Sequence, residues 1–188
     1  REVRASEKRF YQKVRDLFAL SSDYDATDKA TQMFFAQTQN KLLYAVTHKT
    51  AAELIVERAN ANDPNMALTT WKGNQVRKQD IYTAKNYLNE DELDSLNRLV
   101  VIFLETAELR AKNRMDVTMN FWKQNVDRVL EFNDKDILKG LGSVSNKQME
   151  EKVKQIYAQF DSQRKLEEAK KEDAIELEEI EKLLKRKK

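Results

Sequence analysis

The sequence predicts an all-α protein, and three observations carry that prediction. Gly occurs three times and Pro once in 188 residues, although turns and loops normally consume both. Ala, Leu, Glu, Lys, Gln and Arg, the strong helix formers, dominate instead. Apolar residues recur at spacings of three and four rather than alternating. The expected architecture is a single globular helical domain of about seven helices over residues 1–163. A long charged C-terminal helix follows over residues 164–188, either protruding or disordered.

The elements follow in order. Val3, Phe10, Val14, Leu17 and Phe18 form the stripe of a first helix at about 3–20, which Ser21-Ser22-Asp23 breaks. A second helix starts near Thr27, with Met33, Phe34, Leu42, Leu43 and Val46 as core residues. Thr50 and Glu53 have the spacing of a capping box and start a short third helix that reaches Ala59. Residues 60–74, with Pro64 and Gly73, form the longest irregular stretch, a natural place for a binding loop. A short helix is expected from Lys78 to Asn89, where Asn89 and Glu92 repeat the capping pattern.

The next helix, about 90–113, contains the run Leu99-Val-Val-Ile-Phe-Leu104. Six consecutive apolar residues reach every side of a helix, so this one is expected to be central and buried. Another follows over 118–132, with Phe121, Trp122, Val126, Val129 and Leu130 inside. Gly140 and Gly142 mark a turn, and Ser145 caps the last helix. Its end, 161–188, holds nine acidic and nine basic residues. Favourable i,i+4 pairs are Glu167 with Lys171, Glu178 with Lys182 and Glu181 with Lys185. Leu177, Ile180 and Leu184 make a seam shorter than the ~3–4 heptads of a coiled coil.

Composition narrows the function classes. Basic and acidic residues number 34 and 32, so net charge gives no argument for nucleic-acid binding. The absence of Cys excludes disulfides and thiol catalysis and fits a reducing, cytoplasmic setting. No apolar run approaches the ~18 residues of a membrane span. The sequence starts at Arg1 without a signal-like stretch and reads as a fragment of a longer protein. No P-loop, G-x-G-x-x-G, H-E-x-x-H or G-x-S-x-G pattern occurs. With one His, no multi-His metal site forms within a subunit, and no metal or cofactor is expected.

Several residues remain as candidates for chemistry. His48 is either a general base or phosphate contact, or a residue at a helix C-terminus favoured by the macrodipole. Glu105 and Glu108, one turn apart on the helix expected to be buried, could hold a divalent cation or act as an acid with a raised pKa. The plainer reading pairs them with Arg98, Arg110 or Lys112. Asn65, Trp71, Lys72, Arg77 and Lys78 mix amides, an aromatic and cations, a combination that stacks a base and holds a phosphate. The plainer reading leaves the indole half-buried under its loop. Arg1, Arg4, Lys8 and Arg15 share one helical face, either a phosphate track or a solvated surface.

The chain also resembles a known family. The stretch Arg4-Ala-Ser-Glu-Lys-Arg-Phe-Tyr-Gln-Lys-Val-Arg-Asp16 carries the resemblance, with Gln39-Asn-Lys41, Thr50-Ala-Ala-Glu-Leu-Ile55 and Pro64-Asn-Met66. Trp71-Lys-Gly73, Asn86-Tyr-Leu88, Leu96-Asn-Arg98 and Ala107-Glu108 continue it in the same order. Over about residues 2–164 the sequence is similar to the C-terminal region of RhuM-family virulence proteins. The resemblance implies a bacterial protein whose N-terminal half, outside this sequence, looks like a phage-type winged-helix DNA-binding domain. It also implies company with restriction-modification systems, mobile elements or pathogenicity islands. Two departures stand out: the family tends to carry Gly where Ala67 stands and Asp where Asn60 stands. The His-Pro-Phe and Gly-Asn-Gly-Arg signature of Fic-type nucleotidyl transferases is missing.

The leading functional expectation is an effector, interaction or oligomerisation module of a DNA-associated accessory protein, acting through a protein partner or self-association. DNA would be contacted by the missing N-terminal domain. The alternative is a nucleotide- or nucleic-acid-processing enzyme with an acidic site on the central helix. That alternative requires His48, Glu53, Trp71, Lys72, Asn97, Glu105 and Glu108 to converge on one pocket.

Overall fold

The computed structural model describes residue 16, residues 18–25, residue 27, residues 29–113 and residues 115–186. Among them are five α-helices: α1 (Lys29–Thr47), α2 (Ala51–Arg58), α3 (Glu90–Lys112), α4 (Met119–Phe132) and α5 (Asn146–Arg186). Three short 3-10 turns, Pro64–Ala67, Asp80–Tyr82 and Ala84–Tyr87, complete the secondary structure, and no strand occurs among the described residues. The all-α class holds.

The count of about seven helices does not. The helix expected over 3–20 lies mostly outside the described residues, of which 16, 18 and 19 are helical. The helix expected over 78–89 is replaced by two 3-10 turns. Side chains there take carbonyls that an α-helix would use: Asn86 Nδ2 donates to the Asp80 carbonyl at 2.8 Å, and the Tyr87 hydroxyl to that of Ile81 at 2.8 Å. Thr83 between the turns is extended, with φ −106° and ψ 111°. Local hydrogen bonds have outcompeted the helical ladder.

The chain forms two compact units, each assembled from two separate stretches: Arg1–Leu54 with Leu88–Ser143, and Ile55–Tyr87 with Val144–Lys188. The first unit packs α1, α3 and α4 against one another. Trp122, 1% exposed, sits at its centre. Phe18 meets the Trp122 ring edge-on at 4.7 Å and Phe34 at 5.4 Å, while Phe103 from α3 lies 5.5 Å from Trp122. Such offset and edge contacts suit the ring quadrupoles better than face-to-face stacking. The indole N–H donates to Ser21 Oγ at 2.8 Å, so the buried polar edge is satisfied. Met33, expected inside, is 59% exposed.

Caps set the helix starts as the spacing predicts. Asn89 accepts from the Glu92 N–H at 2.8 Å and the Glu92 carboxylate accepts the Asn89 N–H at 3.0 Å, a full capping box on α3. Thr118, a cap that the spacing does not announce, holds the start of α4 by accepting the Phe121 N–H at 3.1 Å. Ser145 Oγ accepts the Gln148 N–H at 3.2 Å at the start of α5.

The second unit wraps an irregular segment against α5, whose Met149 and Val153 are buried along with Met66, Val76 and Ile81. Asp80, only 7% exposed, organises that segment: its carboxylate accepts the N–H groups of Lys72 at 3.4 Å and Arg77 at 2.9 Å. Asn86 closes the other side, its carbonyl accepting the N–H groups of Thr69 and Thr70. On α5, Arg164 donates to the Val76 carbonyl at 3.0 Å and also bonds Asp161. The helix runs unbroken through the expected 163/164 boundary. From Lys165 to Lys185 every side chain is exposed.

Candidate functional site

Seven of the residues singled out for chemistry fall into two groups. His48, Glu53, Asn97, Glu105 and Glu108 belong to the first unit, Trp71 and Lys72 to the second. The first unit contains a cavity of about 310 Å³ lined by Gln37, Asn40, Lys41, Leu138, Gly140 and Leu141. None of the seven lines it. Its polar wall is already engaged: Asn40 Oδ1 accepts the Ala51 N–H at 2.9 Å, and Lys41 pairs with Asp127 at 2.6 Å.

His48 ends α1 in the left-handed region at φ 57°. Its N–H donates to the Tyr44 carbonyl at 2.8 Å, its ring is edge-on to Tyr44 at 5.9 Å, and Nδ1 lies 3.4 Å from an Asp136 carboxylate oxygen. Both side chains of that ion pair are well exposed. This is a helix-terminating residue beside a surface carboxylate.

Glu53 is a structural latch. One carboxylate oxygen closes the capping box by accepting the Thr50 N–H at 2.8 Å. The other accepts the Ser143 N–H at 2.6 Å and its hydroxyl at 2.8 Å, tying down the end of the 133–145 loop. The Ser143 and Thr50 backbone donors stabilise the charged form and pull the pKa from 4.5 down to about 2. Gly142 makes this approach possible. Its φ is +82°, and a Cβ there would stand 2.6 Å from Thr50 Cγ2.

In the second unit Asn65, Lys72, Arg77 and Lys78 are exposed and Trp71 is half-buried. The backbone amides of Lys72 and Arg77, which an incoming phosphate would need, point instead at the Asp80 carboxylate. The chain's own acid fills that small anion nest. Asn65, Met66 and Ala67 form a left-handed turn, with φ of 55°, 58° and 64°. Met66 is fully buried beneath it.

α3 departs most from expectation. It is not buried all round: Val101 is 54% exposed, Ile102 39% and Leu109 60%. The expectation of buried carboxylates is corrected with it, for Glu105 is exposed and Glu108 half-buried. Leu96, Leu99, Val100, Phe103, Leu104 and Ala107 take the core side. Asp91, Asp94, Arg98, Val101, Ile102, Glu105, Leu109 and Lys112 share the opposite face, and all are exposed. Arg98 bonds Asp94 one turn earlier at 2.7 Å. The sequence held a sign of this. Charged residues at 91, 98, 105 and 112 repeat every seven positions and keep one face of the helix in water. Asp80 was the other residue missed, because a lone Asp in a loop has no spacing pattern to announce it.

Among the described residues no group of three or more His, Asp or Glu side chains is placed to hold a metal ion. No helix of the described residues is long and apolar enough to cross a membrane. The model of the virulence protein RhuM family matches residues 1–168 of the chain. No curated protein and no solved structure matches it.

Proposed function

We propose, from the premise that the chain belongs to the virulence protein RhuM family, that it is a non-enzymatic interaction module of a bacterial DNA-associated accessory protein. The observation that carries this reading is the solvent face of α3. A rigid, capped helix presents Val101, Ile102 and Leu109 to water within a frame of charges. Apolar side chains grouped on one exposed face, rimmed by polar ones, mark a docking surface. The enzyme alternative draws no comparable support. Its residues do not share the cavity, and Glu105 is exposed rather than held in an apolar site. In this reading DNA is contacted by a further domain, and the helical body relays or assembles, in the setting of restriction-modification or mobile-element systems.

A thermal-shift screen against divalent metals, nucleotides and short DNA and RNA duplexes tests it. A ligand specific for the folded state at ~100 times its Kd adds ~2.7 kcal/mol, a readable rise in Tm. The expected result is no shift. A shift abolished by Trp71→Ala or Glu105→Ala would replace the interaction reading with the enzyme one.

A further inference from the structure

Four exposed charges of α3 alternate in sign at a spacing of seven, Asp91, Arg98, Glu105 and Lys112, while Asp94 on the same face is held by Arg98. Seven residues are nearly two helical turns, so the four charges lie along one face. The apolar pair Val101–Ile102 falls midway between the two inner charges. Such a pattern has a definite symmetry. Reversing the helix about the point between 101 and 102 carries 98 onto 105 and 91 onto 112, so each charge meets its opposite.

We propose that α3 pairs antiparallel with α3 of a second copy of this chain across a two-fold axis passing between Val101 and Ile102. This rests on the interaction reading above and names its partner. Arg98 then faces Glu105 of the partner subunit, Asp91 faces Lys112 of the partner subunit, and Val101 and Ile102 pack against their counterparts at the axis. A two-fold interface uses the same patch on both subunits, so every heterologous contact occurs twice. Four cross-subunit ion pairs thus flank one apolar centre. A parallel, in-register pairing would set each charge against its own kind, so the sign pattern selects the orientation. Arg98 already holds Asp94, and its five donors leave N–H groups for a second carboxylate. One helix face is smaller than the ~800 Å² per partner of a standard interface. The dimer should therefore form only as concentration rises.

Sedimentation equilibrium of the full chain over a range from low to several hundred micromolar tests the proposal. The expected result is a transition from 22.1 kDa to twice that mass. Arg98→Glu and Glu105→Arg should each weaken association at least tenfold, and the doubly swapped chain should recover it. All these side chains are exposed, so circular dichroism should show every variant folded. A chain that stays monomeric at every concentration overturns the self-pairing. So does a dimer that Arg98→Glu leaves unchanged, which would move the contact to another surface such as the exposed seam of α5. Neither result touches the interaction reading itself, which falls on a ligand shift in the thermal screen.

Discussion

Ala67 sits at φ 64°, where a Cβ is crowded by its own backbone. The resemblance implies Gly at this position, and Gly adopts this conformation without that clash. Ala67→Gly should stabilise the chain by about 1 kcal/mol, the relief of ~1–2 kcal/mol less the extra chain entropy of Gly. A chemical-denaturation midpoint that falls on this substitution would contradict the strain. The other departure, Asn60, costs nothing comparable. Its Oδ1 accepts the Asn62 N–H at 3.0 Å, a contact that an Asp carboxylate makes equally well.

Glu53 gives a prediction with a pH sign. Its folded pKa of about 2 lies below the ordinary 4.5. Its stabilisation is therefore complete above pH 4.5 and lost as pH falls toward 2. Glu53→Gln should lower stability at neutral pH by about 1–2 kcal/mol, the worth of charge-assisted bonds on a partly exposed group. The gap between variant and parent should close on acidification. An unchanged gap at pH 2.5 to 3, measured by urea melts, would show that the latch does not depend on the charge.

At the scale of elements, α5 divides by exposure. Up to Arg164 it makes packing and hydrogen bonds within its unit; beyond that the side chains face water. Glu178 and Lys182 pair at 2.8 Å, and exposed i,i+4 pairs of this kind hold a helix only weakly. A chain ended at Glu168, where the family match stops, should keep its Tm and lose helical ellipticity. A fall of more than about 4 °C, ~1 kcal/mol or more at this chain length, would show that the outer half is packed. The segment 78–89 teaches the converse lesson. Its composition is helical, but Asp80, Asn86 and Tyr87 direct their polar atoms into the backbone and divide it into 3-10 turns.

At the scale of the whole molecule, self-association makes stability depend on concentration. If the folded chains pair through α3, mass action should raise Tm with protein concentration, and the Arg98→Glu chain should show no such rise. A flat Tm for both, measured by differential scanning calorimetry across the same range, would contradict the dimer. The net charge of +2 does not oppose pairing, since repulsion between two such copies is small and screened over ~8 Å in physiological salt.

The sequence by itself determined the helical class, three capping positions and most of the first unit's core. Each of these depends on neighbours within about one turn, and spacing reports such neighbours directly: Asn89 with Glu92, Thr50 with Glu53, Trp122 with Val126. The family was legible for the same reason, being carried by short segments in a fixed order. Many of those segments hold structure here: Asn40 ties down the start of α2, and Asn86 anchors Thr69 and Thr70. Only the tertiary structure decided which side of α3 meets water, because six apolar residues in a row satisfy any orientation until neighbouring helices claim one face. It likewise assigned Trp71 and Lys72 to one compact unit and Glu105 and Glu108 to the other, and filled the amide nest of the loop with Asp80. Long-range packing chooses among faces that local pattern leaves equivalent, and that choice turned a candidate acidic site into a candidate docking surface.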